Sequence, residues 1–166
     1  LYEIEGLYRN FQNAIDYDLQ VGNNLISYPF SIMQDVSEIE YLCEAEILDG
    51  IITEGSALMC QDEHFVGSLM TFEPGYGYWF RVSEPVTFQY PLPGSDNMGR
   101  VAYKLPIVPD KFHYNQSSAQ AFYFIEEITL TDGFISETDW IIAYNNETVI
   151  GARIWNGKFT DIPVMG

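Results

Sequence analysis

The sequence predicts a mainly β chain with one helix: a small α+β unit followed by a β-sandwich-like unit. Three observations carry this. Short runs rich in Ile, Val, Phe, Tyr and Trp recur between clusters of Gly, Pro, Asn and Asp, as strands recur between turns. One stretch, Ile32, Val36, Ile39 and Cys43, repeats at i, i+4, i+7 and i+11, the stripe of a helix with one buried side. Four prolines (Pro91, Pro93, Pro106, Pro109) and Gly94-Ser95-Asp96-Asn97 interrupt the chain, as a linker or crossing loop does. The division is then an N-terminal segment 1–18, an α+β module 19–90, a linker or crossing loop 91–116, and a β-sandwich-like module 117–166.

The elements follow in order. Tyr2 to Tyr17 reads as a short helix or the tail of a preceding domain. Leu25 to Tyr28, after the Gly22-Asn23-Asn24 turn and before Pro29, reads as a strand. Residues 31–43 read as the helix: Ser31 and Gln34 have capping-box spacing. Ile32, Val36 and Ile39 should be buried, with Asp35, Glu38, Glu40 and Glu44 on the wet side. Strands are expected at 51–53, 64–72, 78–82 and 86–90, broken at Glu54-Gly55, at Glu73-Pro74-Gly75-Tyr76-Gly77 and at Ser83-Glu84-Pro85. A helix against a mostly antiparallel sheet is the economical packing. In the second module, 120–130 reads as a long strand. Residues 140–144 and 148–155 flank the hairpin loop Asn145-Asn146-Glu147, and Asn156-Gly157 reads as a two-residue turn into Lys158-Phe159-Thr160.

Charge narrows the partners. The 166 residues carry 24 acids against seven bases, net −17. Phosphate contacts need Lys and Arg, so the balance speaks against nucleic acid and against anionic membrane surfaces. With 47 % apolar and 16 % aromatic residues the chain can bury a core. Residues 31–63 hold nine acids and no base, which implies a continuous negative face. The chain opens on Leu1 without a signal-peptide pattern and stops soon after its last strand. It reads as a processed chain or a piece of a longer one.

Few groupings suggest chemistry. Cys43 and Cys60 enclose 16 residues and read either as a disulfide, if the compartment oxidises, or as buried thiols. With His64 they have a loose zinc spacing that lacks a fourth Cys or His, leaving Asp62 or Glu63. Asp16 and Asp18, or Asp132, Glu137 and Asp139 near one turn, are calcium candidates that match no EF-hand loop. No other cofactor is expected. Ser56 and Ser68 lie outside a G-x-S-x-G elbow, with only His64 and His113 to serve as base. Glu126 and Glu127 are adjacent on a strand and point to opposite faces, so they are not a glycosidase pair. No catalytic constellation emerges, and the chain reads as a non-enzyme. Tyr76, Tyr78, Trp79 and Phe80 fall within five residues. Alternation turns at least one ring outward unless a neighbouring domain covers it, and exposed rings stack on sugars or anchor a protein. Finally, Glu126 shares a strand face with Phe122, Phe124, Ile128 and Leu130. Either a bulge turns it out, or it pairs inside the second module with Arg153 of the facing strand.

The runs GNNLISYPF (22–30), GIITEGSA (50–57) and VGSLMTFEPGYGYWFRVSEP (66–85) resemble a β-rich module often found in tandem in secreted proteins of marine bacteria and in structural proteins of marine phages. QAFYFIEEITL (120–130) and the run from Asp139 to Gly166 resemble the module that often follows it. Relatives carry a Cys and more acids in the second hairpin, where this chain has Thr148-Val149. The resemblance implies a place outside the cell or on a virion surface, with other modules of a longer chain or neighbouring subunits as partners, and implies no activity. The expected function is a non-catalytic structural or adhesion module. The alternative is a carbohydrate-binding module using Tyr76, Tyr78 and Trp79.

Overall fold

The computed structural model describes residues 15–94 and 106–166. The expectation for Tyr2–Tyr17 falls mostly outside them, as does the middle of the linker.

Among the described residues the chain is mainly β with one short α-helix, an α+β unit followed by a β-rich unit. The first unit begins with β1 (Tyr17–Leu19) and β2 (Gly22–Ser27), then β3 (Gln34–Asp35) and α1 (Tyr41–Glu44). It continues through β4 (Leu48–Thr53), β5 (Ser56–Gln61), β6 (His64–Gly67), β7 (Thr71–Phe72), β8 (Gly77–Val82) and β9 (Val86–Phe88). Five of these strands form an antiparallel sheet in the order β2-β8-β4-β5-β6. Two small ladders, β1 with β9 and β3 with β7, accompany it and contribute Leu19, Phe72 and Phe88 to its core. Tyr17 and Asp18 therefore pair with Phe88 and Thr87 and belong to the first unit.

The central strand β8 shows how the sheet divides. Tyr78, Phe80 and Val82 are buried, while Gly77, Trp79 and Arg81 are exposed, the period of two that the pleat imposes. On the inner side Tyr28, Phe72, Tyr78, Phe80, Phe88 and Tyr90 make one cluster, with Leu19, Leu48, Ile51 and Leu58 around it. The rings meet mostly edge to face, at separations from 4.8 Å (Phe88–Tyr90) to 6.2 Å (Phe72–Phe80, stacked), as their quadrupoles favour.

The helix is much shorter than expected. Residues 36–39 form a 3-10 turn and only Tyr41–Glu44 are α-helical. Asp35, not Ser31, caps the start, its carboxylate accepting from Ser37 N at 2.9 Å. Val36 and Ile39 are buried, but Ile32 is 42 % exposed. The reason lies in Gln34 and Asp35, which bridge Phe72 and Thr71. Gln34 is buried, with its amide donating to Pro91 O at 3.0 Å. A strand bridge and a helical turn compete for the same backbone groups, and here tertiary pairing overrides the apolar spacing.

Other expectations also shift. Strand β5 was not anticipated: Ala57-Leu58-Met59 carries little β propensity, yet Glu54-Gly55 forms a two-residue loop that folds it onto β4. The run 64–72 breaks after Gly67 (φ +127) into β6 and β7, which pair with different strands.

The second unit contains β10 (Gln120–Ile125), β11 (Trp140–Asn145), β12 (Thr148–Ile154) and β13 (Thr160–Met165). β11 and β12 form the expected hairpin, with a register shift at Ala143/Tyr144. β13 pairs antiparallel with β10, so Asn156-Gly157 does not close a hairpin. Instead Thr160 Oγ1 donates to Gly157 O at 2.7 Å and accepts from Asn156 N at 2.9 Å, shaping a wider loop. The two ladders touch where β12 crosses β13: a Cβ on Gly151 would lie 1.7 Å from Pro163 O. Only glycine permits that approach. Strand β10 ends at Ile125, whose carbonyl accepts from Phe159 N at 2.8 Å. The long strand 120–130 is thus six residues, and Glu126 and Glu127 lie beyond it.

Candidate functional site

The outer face of the five-stranded sheet carries a row of apolar side chains. Leu25, Trp79 and Ile52 are direct cross-strand neighbours on β2, β8 and β4, and all three are exposed, Trp79 at 46 %. One pleat along, Asn23 and Arg81 stand opposite each other. Arg81 Nε donates to Asp49 Oδ2 at 3.1 Å, at the register shift that turns Asp49 outward. Facing this surface is β10 of the second unit. Its alternate residues Gln120, Phe122 and Phe124 share one side, and with Trp79, Ile52 and Met59 they line a groove of about 370 Å³. Gln120 Nε2 donates to Thr53 O at 3.3 Å, while its Oε1 is buried without a hydrogen-bond partner among the described residues. The groove combines an open indole, apolar side walls, a neutralised Arg81–Asp49 pair and amides from Asn23 and Gln120. Such a surface suits a ligand with one apolar face and polar edges.

The expected aromatic site is divided by the sheet. Trp79 lies on the outer face. Tyr76 is exposed at the turn before β8. Tyr78 is buried on the inner face, its hydroxyl accepting from Glu73 N at 2.7 Å, and burial pushes that hydroxyl up to about 12. Tyr78 is a core residue, on the opposite side of the sheet from Trp79. The reason is the pleat: two adjacent strand residues cannot share a face. Leu25, Ile52, Met59, Arg81, Asp49 and the three β10 residues were not anticipated. The alternation Gln120-Phe122-Phe124 was the available signal.

The expected Glu126–Arg153 pair is not formed. Glu126 is exposed and pairs with Lys158 at 3.0 Å, because β10 has already ended. Arg153 lies inside the structure, 7 % exposed, with the 2 % exposed Asp161. Its Nε donates to Asp161 O at 2.9 Å, and its Nη2 donates to Asp161 Oδ2 at 3.1 Å and to Gly55 O at 2.8 Å. Ser68 Oγ donates to the same carboxylate oxygen at 2.8 Å. Burial raises the Asp161 carboxyl above its ordinary value, against the opposing pull of Arg153 and Ser68. Gly55 and Ser68 belong to the first unit, so this cluster bridges the two units.

Cys43 and Cys60 are joined as a disulfide, their Cα atoms 5.5 Å apart, tying α1 to β5. They are therefore not zinc ligands with His64, whose Nδ1 lies 3.5 Å from Glu40. Glu40 also accepts from Phe65 N at 3.0 Å. Asp132, Glu137 and Asp139 do not assemble a calcium site. Asp139 caps its own turn, accepting from Ser136 N at 2.8 Å, and among the described residues no three His, Cys, Asp or Glu side chains stand together as metal ligands. Asp16 accepts from Gln89, and Asp18 from Thr87 at 2.8 Å. Among the described residues no helix is long and apolar enough to cross a membrane.

Comparison with protein-family models, with curated proteins and with solved structures gives no match.

Proposed function

We propose that this chain is a non-catalytic module that binds a neutral glycan in the groove between the five-stranded sheet and β10. The carrying observation is Trp79: an open indole held by its neighbours Leu25 and Ile52 at the wall of a groove with amides and a paired charge. A sugar ring offers C–H bonds on one face and hydroxyls around its rim. The face stacks on the indole, and the hydroxyls exchange hydrogen bonds with Asn23, Gln120, Asp49 and Arg81. The net charge of −17 repels acidic polysaccharides, and Arg81 is already neutralised by Asp49, which favours an uncharged ligand. What supports the non-catalytic reading is that, among the described residues, the groove is lined by one carboxylate, Asp49, whereas glycoside cleavage generally uses two.

The setting we propose is an adhesion or structural module of a longer extracellular or virion-surface protein. The Cys43–Cys60 disulfide supports an oxidising compartment.

The test is binding of the intact chain to a panel of neutral and acidic oligosaccharides, followed by titration of the best binder against Trp79→Ala. Expected are neutral binders with affinity lost in Trp79→Ala, whose melting temperature stays near that of the unaltered chain. Binding that survives Trp79→Ala, or no binder at all, would overturn the glycan reading. Turnover of a bound sugar abolished by replacing one Asp or Glu would overturn the non-catalytic one.

A further inference from the structure

We infer that Arg153, Asp161 and Ser68 are positioning residues for the groove: their buried cluster sets where β10 stands opposite Trp79. The affinity part of this inference rests on the glycan-binding reading above; the geometric part does not.

The groove has two walls with different support. The wall that carries Trp79 is a five-stranded ladder. Among the described residues the other wall, β10, hydrogen-bonds as a strand only to β13, and no ladder joins it to the first unit. Its place is therefore decided by side chains. Asp161 is the direct cross-strand neighbour of Phe124, so the two point to the same side, toward the first unit. There Asp161 accepts from Ser68 Oγ at 2.8 Å, and Arg153 reaches past it to Gly55 O at 2.8 Å. Both anchors are themselves held. Gly55 sits in the two-residue loop that joins β4 to β5, and Ser68 N donates to Ala57 O at 2.9 Å. The cluster thus registers β10 against the strands that carry Ile52 and Met59. The Phe124 ring completes the contact on Gly67, where an added Cβ would lie 3.1 Å from it. A further tether among the described residues, from Gln120 to Thr53 O, is long at 3.3 Å. Apolar contacts tolerate sliding, whereas charge-assisted hydrogen bonds from a planar guanidinium hold one geometry.

The experiment measures groove width and binding separately. Spin labels at Val21→Cys and Tyr123→Cys, both exposed and outside the groove lining, report the distance between the units with the native disulfide intact. The chain carrying no further change should give one narrow distance. Arg153→Met should broaden or lengthen it, and Ser68→Ala should do so without leaving a buried charge. In unlabelled protein the best neutral oligosaccharide should bind about tenfold more weakly to Arg153→Met, the loss expected from removing one well-formed contact. The double variant Arg153→Met with Asp161→Leu should regain stability but not the narrow distance. Recovery of both would reduce the cluster to simple packing and overturn the inference, as would an unchanged distance in Ser68→Ala and Arg153→Met. If the distance broadens as expected while the parent chain binds no oligosaccharide, the positioning role stands and the glycan reading falls.

Discussion

In the core of the first unit, Tyr28, Phe72, Tyr78, Phe80, Phe88 and Tyr90 bury their rings against one another. At the junction between the units the buried groups include a guanidinium and a carboxylate. The aromatic cluster gains from leaving water and tolerates several ring geometries, edge to face and stacked alike. The ion pair is costly to desolvate, and what it contributes is one defined arrangement rather than net stability. The first region makes the unit stable, and the second decides where the other unit stands. That division suits a groove whose walls come from both.

The comparison can be broken most directly by truncating each region in turn. Phe80→Ala, at the centre of the aromatic cluster, should cost about 3–5 kcal/mol in a denaturant titration. A loss below about 1 kcal/mol would mean that the cluster is not the source of stability. Arg153→Ala should cost about 3 kcal/mol, because Asp161 is left buried without its counter-charge, while Arg153→Met with Asp161→Leu should return most of it. If the double variant is as unstable as the single, the pair contributes stability after all.

Alkaline titration sharpens the contrast. Burial raises the hydroxyls of Tyr28, Tyr78 and Tyr90, that of Tyr78 to about 12. The unfolded chain ionises its tyrosines near 10, so above that pH it releases protons that the folded chain retains. Stability from these groups should be fully present below about pH 10 and fall as pH rises toward 12. Melting curves across that range check it, and a flat profile would contradict burial of the three hydroxyls. The smallest effect concerns Tyr90, whose hydroxyl is buried with no hydrogen-bond partner among the described residues. Tyr90→Phe should stabilise by about 1 kcal/mol and soften the alkaline fall. Destabilisation would show that the hydroxyl has a partner.

Local signals were reliable where they coincided with what tertiary pairing needed. The alternation through Tyr78, Phe80 and Val82 made β8 legible, and the same pleat exposed Trp79. The Asn145-Asn146-Glu147 turn announced the β11–β12 hairpin, which needs only its own residues. Local signals misled where a distant segment claimed the same backbone. The apolar stripe from Ile32 to Cys43 suggested one helix, but Gln34 and Asp35 pair with residues 71–72. Asn156-Gly157 suggested a hairpin, but β13 pairs with β10, 35 to 45 residues earlier. Both readings of Glu126, a bulge or an inward pair with Arg153, extended the strand past Ile125, where β10 ends, and Arg153 went instead to Asp161 on β13.

The sequence by itself determined the β class, the acidic charge, a helical region within 31–43 and an outward-facing ring among Tyr76, Tyr78, Trp79 and Phe80. These depend on composition and on periods of a few residues, which the backbone geometry reads directly. The tertiary structure alone decided that β10 lies across the sheet, that Arg153 and Asp161 are buried together, and that Trp79 therefore stands at the wall of a groove. Those outcomes depend on contacts between residues as far apart as Gly55 and Arg153, and no local pattern specifies which distant partner will occupy a buried hydrogen bond.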